Sequence, residues 1–152
     1  MRYLVREYEV GQIRFKYTRV TEDQTDVELH ARLEDYKARL IESQRKQMRD
    51  ITILEFTASN QYSPQQRRIQ SEWNSECEEL LREVELSVVF VTPSQQMRGV
   101  ITAVFWVAPP PFPYEICEDI HEALARAFEI AERAGQRVDH IAREHIRVCL
   151  FS

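Results

Sequence analysis

The feature that most constrains this chain is a unit it uses twice: a short β-branched run, a polar residue followed by proline, then apolar residues at helical spacing. Ile51–Thr57 carries one charge, Glu55, and leads into Ser63-Pro64-Gln65-Gln66. Ser87–Val91 leads into Thr92-Pro93-Ser94-Gln95 in the same way. A serine or threonine can accept a hydrogen bond from a free N–H of the first helical turn. Proline costs nothing at the first helical position, where its missing N–H has no partner anyway. Each unit therefore predicts a strand, a corner and a helix. An almost uncharged β-branched run suits a strand covered on both faces, which places Ile51–Thr57 at the centre of a sheet.

In the first unit, Ile69, Trp73, Cys77, Leu80 and Val84 step along one helical face, with charged residues elsewhere. A third unit is shorter. Tyr114–Cys117 is a candidate strand, Asp119 with Glu122 caps a helix, and Ile120, Leu124, Ala127, Phe128 and Ala131 share its inner face. Gly135 stands where a left-handed residue ends such a helix. Ahead of all three, Leu29, Leu33, Tyr36 and Leu40 share a face, and Thr25 with Glu28 can form a capping box. This predicts a helix over Asp26–Gln47. The stretch Leu4–Val20 is rich in Tyr, Val, Ile and Phe and is broken by Gly11, as in two strands joined by a turn. Within it Ile13, Phe15 and Tyr17 alternate with Arg14, Lys16 and Thr18, the pattern of a strand half covered by core.

Strands alternating with helices through short connections imply an α/β fold: a mixed, mostly parallel sheet of four to five strands with helices packed on its faces. A chain of 152 residues fits one domain, able to bury roughly 70% of its unfolded surface. Residues 1–137 are expected to form it. Residues 138–152 extend beyond, with helical spacing first and then alternation at Ile146, Val148 and Leu150, so their structure stays open.

Several function classes are disfavoured. The longest apolar stretch, Val100–Val107, runs into a proline cluster far short of the roughly 20 residues a membrane span needs. The first residues lack the apolar run of a signal peptide, so no membrane insertion is expected. A net charge of −5, with bases and acids intermixed, speaks against nucleic acid as a partner. Cys77, Cys117 and Cys149 are widely spaced and form no C-x-x-C, which suits reduced thiols in the cytoplasm. His140 and His145 stand about 140° apart on a helix, too far round to share one metal, so no metal is expected. With three glycines and no G-x-S-x-G, Walker loop or G-x-G-x-x-G, no cofactor is expected, no catalytic residue is nominated and the chain is not expected to be an enzyme.

The order of elements carries a resemblance, together with Val89-Phe90-Val91-Thr92, Arg98-Gly99-Val100-Ile101-Thr102-Ala103, Phe105-Trp106, Pro111-Phe112-Pro113 and Asp119-Ile120-His121-Glu122-Ala123-Leu124. Over roughly residues 10–135 the chain resembles the STAS-like domains related to bacterial anti-sigma factor antagonists. The resemblance implies a bacterial, cytoplasmic, non-enzymatic module that regulates or scaffolds through protein–protein contact, self-assembly included. In that family a serine at the start of the helix after the central strand is phosphorylated by a partner kinase, which breaks the complex. The matching loop here is Thr57–Ser63, with Ser59 and Ser63 as the candidates and without the family's Asp-x-Ser pattern.

Capping alone accounts for Ser63, although a phosphate there would also meet free N–H groups and the helix dipole. Ser59 has no such explanation. Arg67 and Arg68, one turn further on, are candidates to receive a partner's acidic patch; the plainer reading is a solvated pair. Trp106, Phe112 and Tyr114 flank the proline run. They belong either to a buried helix and stiff crossover or to an exposed patch for a partner or a second copy. The alternative function is a carrier or sensor of a small apolar ligand, held between the sheet and the Met97–Trp106 helix.

Overall fold

The structure is a computed structural model that describes residues 3–21, 23–57 and 63–152. Strands β1 (Tyr3–Val10) and β2 (Ile13–Val20) form an antiparallel hairpin, closed by Gly11 at φ +58°. Then follow α1 (Asp26–Arg45), β3 (Arg49–Phe56), α2 (Pro64–Glu76), α3 (Glu78–Val84), β4 (Glu85–Val91), α4 (Gln95–Val107), β5 (Tyr114–Cys117), α5 (Ile120–Arg133) and α6 (His140–Phe151). The five strands lie in sequence order, and β2 to β5 are parallel. The fold is thus α/β with a mostly parallel mixed sheet, and Ile51–Phe56 lies in its middle strand.

Each crossover from β2 to β5 steps one place in the same direction, and right-handed crossovers of that kind put their helices on one face. Helices α1 to α4 lie there: Val20, Leu54, Phe56, Val88 and Phe90 of the sheet meet Met97 and Ile101 of α4. The opposite face is covered by the two helices that follow the last strand. Phe15, Ile53, Val89 and Val91 there pack on Leu124, Ala127, Phe128 and Ala131 of α5 and on Ile146 and Leu150 of α6.

Local signals built several of these elements as expected. Thr25 and Glu28 form the reciprocal capping box of α1, and Asp119 caps α5 through the Glu122 N–H. Gly135 follows α5 at φ +91°, a conformation most side chains avoid.

Other expectations need correction. Arg14, Lys16 and Thr18 do not face water; all three are buried, because β2 lies inside the sheet and α1 covers that face. The long helix expected from Pro64 breaks at Cys77, which ends α2 and begins α3. The break shifts the inner face by one residue, so Leu81 takes the fully buried place and Leu80 a partial one. The second capped helix begins two residues late. The Thr92 hydroxyl accepts from the Ser94 N–H at 3.2 Å, Ser94 Oγ accepts from the Met97 N–H at 3.2 Å, and Pro93 precedes the cap instead of opening the helix. Residues 138–152, whose structure the sequence left open, are helical from His140: Asp139 caps α6 through the Ala142 N–H, and Val138, Ile146 and Leu150 join the core.

Candidate functional site

The sheet face beneath α1 carries a cluster of charge that sequence alternation assigned to solvent. Lys16 of β2 stands beside Thr52 of β3, and Asp50 of β3 pairs in register with Arg14 on one side and Glu85 of β4 on the other. Lys16 Nζ lies 2.8 Å from Asp50 Oδ2 and 3.8 Å from Glu85 Oε2. The closer contact is an ion pair not aligned as a hydrogen bond. The Ser43 hydroxyl of α1 donates to Asp50 Oδ1 at 2.6 Å, and Arg14 donates to Ser43 Oγ at 3.0 Å. Glu85 accepts from the Tyr36 hydroxyl at 2.5 Å and from the Thr52 hydroxyl at 2.8 Å. Lys16 also sits over the Tyr36 ring, 4.2 Å from its centre.

Removing two carboxylates from water against one ammonium leaves an excess negative charge, and the cluster answers through Glu85. Burial pushes its carboxyl up to about 7, Lys16 opposing and Asp50 reinforcing the shift. The same burial and the neighbouring Glu85 raise the Tyr36 hydroxyl well above its ordinary range, so it remains a donor.

Further along the strands the same face turns apolar and is left underfilled. A cavity of about 80 Å³ opens between Leu54 and Phe56 of β3, Val88 and Phe90 of β4, Met97, Ile101 and Phe105 of α4, Trp73 of α2 and the Tyr36 ring of α1. Counting the space that runs out to solvent, it reaches about 740 Å³. Phe112 forms part of the wall and joins the side-chain clusters on both sides. Helix α4 is propped there by aromatic contacts: Phe105 lies 4.6 Å from Tyr114, 5.5 Å from Phe90 and 6.5 Å from Phe112, centre to centre.

The polar members of the lining come from α1 and α2: Arg32, Arg67, Gln70 and Asn74. Arg32 Nε donates to Gln24 Oε1 at 3.1 Å, and Gln70 donates to Asn74 at 3.0 Å. Trp73 is only 7% exposed, and its Nε1–H has no hydrogen-bond partner.

The residues nominated from sequence fall in different places. Ser59 lies outside the described residues. Ser63 is an exposed cap: its Oγ accepts from the Gln66 N–H at 3.0 Å while Gln66 Oε1 accepts from its own N–H. Arg67 is half-buried and lines the cavity, whereas Arg68 is exposed. Trp106 is 86% exposed and Val107 84%, so α4 is not a buried helix but has one packed side and one bare end. Phe112 turns inward and Tyr114 sits at the margin, its ring tilted against Phe105. Lys16, Asp50, Glu85, Tyr36 and Trp73 were not nominated. For Asp50 and Glu85 the available signal was a carboxylate at the very start of an apolar strand.

Among the described residues no three His, Cys, Asp or Glu side chains gather as a metal-binding group, and no helix is long and apolar enough to cross a membrane. No family model, curated protein or solved structure matches the chain. Fold and site together define a class: an α/β protein whose five-stranded mixed sheet holds, on one face, a charged cluster beside an apolar cavity.

Proposed function

We propose that the chain is a non-enzymatic sensor in which a small apolar ligand fills the cavity and α4 reports its presence to a protein partner or a second copy. The observation that carries this reading is the double role of α4. Met97, Ile101 and Phe105 wall the cavity, while Trp106 and Val107 of the same helix stand in solvent. A ligand beneath α4 changes what the helix rests on, and a large exposed aromatic at its end is the kind of side chain that dominates interfaces. The kinship to STAS-like regulators belongs to the same proposal, and the regulatory half fits it.

The test begins with protein purified from cells, extracted with organic solvent and analysed by mass spectrometry. A bound small apolar molecule is expected, and adding it back to stripped protein should raise the melting temperature. Sizing and pull-down of the stripped and loaded forms should then differ, and Trp106→Ala should remove the difference without unfolding the domain. A protein that carries nothing and that no apolar compound stabilises would overturn the ligand reading. Identical assembly of both forms would overturn the reporting role of α4.

A further inference from the structure

We infer that the outer edge of β5 pairs antiparallel with the same edge of a second copy of this chain, joining two five-stranded sheets into one. The inference rests on the reporting role proposed for α4 and names its partner; it does not require the cavity to be filled.

The two edges of the sheet, β1 and β5, are finished differently. Helix α6 lies against β1, and the Cys149 thiol donates at 3.4 Å to Glu7 O, a carbonyl on the side away from β2. That edge is partly closed. On β5 the Pro113 and Cys117 carbonyls accept from the Val88 and Thr92 N–H groups of β4, each at 3.0 Å. Backbone polar groups alternate sides along a strand, so the N–H and C=O of Tyr114 and Ile116 point away from the sheet. None of these four groups has a hydrogen-bond partner among the described residues. Proline often guards an exposed edge, but the Pro113 carbonyl faces β4 and the N–H that proline lacks would face the same way. Such an edge is a ready site for another strand.

The side chains of β5 select a second copy in one register. A two-fold axis through a strand pair sets residues of the same face opposite one another. An axis at Glu115 would oppose two carboxylates, and one at Cys117 would oppose Glu115 to Asp119. An axis at Tyr114 would carry Ile116 past the start of the other strand, opposite Phe112. With the axis at Ile116, that residue meets its own copy and the two exchange both hydrogen bonds. Glu115 then faces Cys117 of the second copy, Tyr114 faces Glu118, and no like charges are opposed.

Pairing over four residues alone buries less than the roughly 800 Å² per partner of a stable interface. More apolar surface stands on the same face: Trp106 and Val107 are exposed at the end of α4, and the Tyr114 ring touches Phe105 of that helix. A ligand under α4 would act on the pairing through the helix that flanks it.

Sedimentation velocity of the protein as purified is expected to show a reversible dimer of twice the 18.1 kDa chain mass. Tyr114→Glu sets a carboxylate against Glu118 of the second copy at both ends of the pairing and should weaken the dimer about tenfold. Adding Glu118→Lys should restore the affinity to within about threefold of the original. The two positions stand roughly 13 Å apart along one strand at about 3.3 Å per residue, so this rescue acts only between copies. The exposed Arg98–Glu118 pair, 3.5 Å apart, is lost at little cost. Ile116→Cys should give a disulfide-linked dimer on mild oxidation, because Cα atoms opposed in a hydrogen-bonded pair lie about 5.5 Å apart, within disulfide reach. The unsubstituted protein should not cross-link under the same conditions. A monomer at every concentration overturns the second copy as partner and leaves the cavity reading standing. A dimer that ignores the Tyr114→Glu and Glu118→Lys exchange and does not cross-link through Ile116→Cys overturns the β5 edge as its contact. An intact dimer whose cavity takes no apolar compound overturns the ligand reading alone and supports the pairing.

Discussion

Beneath α5 the sheet presents Phe15, Ile53, Val89 and Val91 to Ala127 and Ala131, small residues that let the helix settle close. Beneath α1 to α4 the same strands present Lys16, Thr52 and Glu85 and then stop short of filling the space under α4. One face is a packed apolar core whose stability needs no counter-ion. The other holds a buried ammonium among carboxylates and borders an apolar cavity. The difference teaches where a fold can carry function: the first face holds the sheet together, which leaves the second free to be imperfectly packed.

The largest effects should separate the faces by their pH response. Phe128→Ala on the packed face and Lys16→Met on the charged one are each expected to cost about 3–5 kcal/mol in urea unfolding. The Phe128 loss should be the same at pH 5 and pH 8. The Lys16 loss should shrink at pH 5, where a neutral Glu85 leaves less unbalanced negative charge. Equal pH responses would break the contrast.

Next in size is the proton itself. Folding raises the Glu85 carboxyl from 4.5 to about 7, so the fold favours its protonated form. That stabilisation is complete below pH 4.5 and is lost as pH rises through about 7. Between pH 5 and pH 8 it amounts to something on the order of 3 kcal/mol. Glu85→Gln keeps a neutral partner for Tyr36 and Thr52 and should flatten the pH profile of the urea midpoint.

Two neighbours on β4 give a finer comparison, because Val88 and Val89 point to opposite faces. Val88→Ile adds a methylene at the cavity and is expected to stabilise by about 1 kcal/mol. The same change at Val89 overpacks the dense face and should destabilise by about 1 kcal/mol or more. Thermal melts of the two variants should move in opposite directions. The smallest effect belongs to Trp106→Ser, whose side chain is nearly free of contacts: about 0.5 kcal/mol at most in the same melts.

Much of the fold was legible because it is written in local grammar. Thr25 with Glu28, Asp119 with Glu122, and Gly135 state helix ends within a few residues, and the β-branched run at Ile51 states a covered strand. What escaped depends on partners distant in the chain. Arg14 and Lys16 alternate with apolar residues as solvent-facing side chains do, and their burial is made tolerable by distant partners: Glu7 of β1, Asp50 of β3 and Glu85 of β4, together with Ser43, Glu42 and Tyr36 of α1. The start of α4 was misplaced because the Thr92 hydroxyl turns to the Ser94 N–H, which leaves Ser94 to cap the helix. For the site, the space between the sheet and the Met97–Trp106 helix was anticipated. Of its polar wall only Arg67 was nominated, because Arg32 and Trp73 sit in helical patterns that read as an ordinary surface and an ordinary core.

The strand order sets when each face can close. Every crossover helix from α1 to α4 is made between the strands it covers, so that face can assemble while the chain is still being synthesised. The other face has no helix until α5 and α6 emerge after the last strand, and α6 must reach back to β1, where Cys149 Sγ meets Glu7 O at 3.4 Å across 142 residues of sequence. Until then Phe15, Ile53 and Val89 form a bare apolar sheet surface. The face that gives the finished protein its firmest packing is thus the nascent chain's greatest exposure to misassembly.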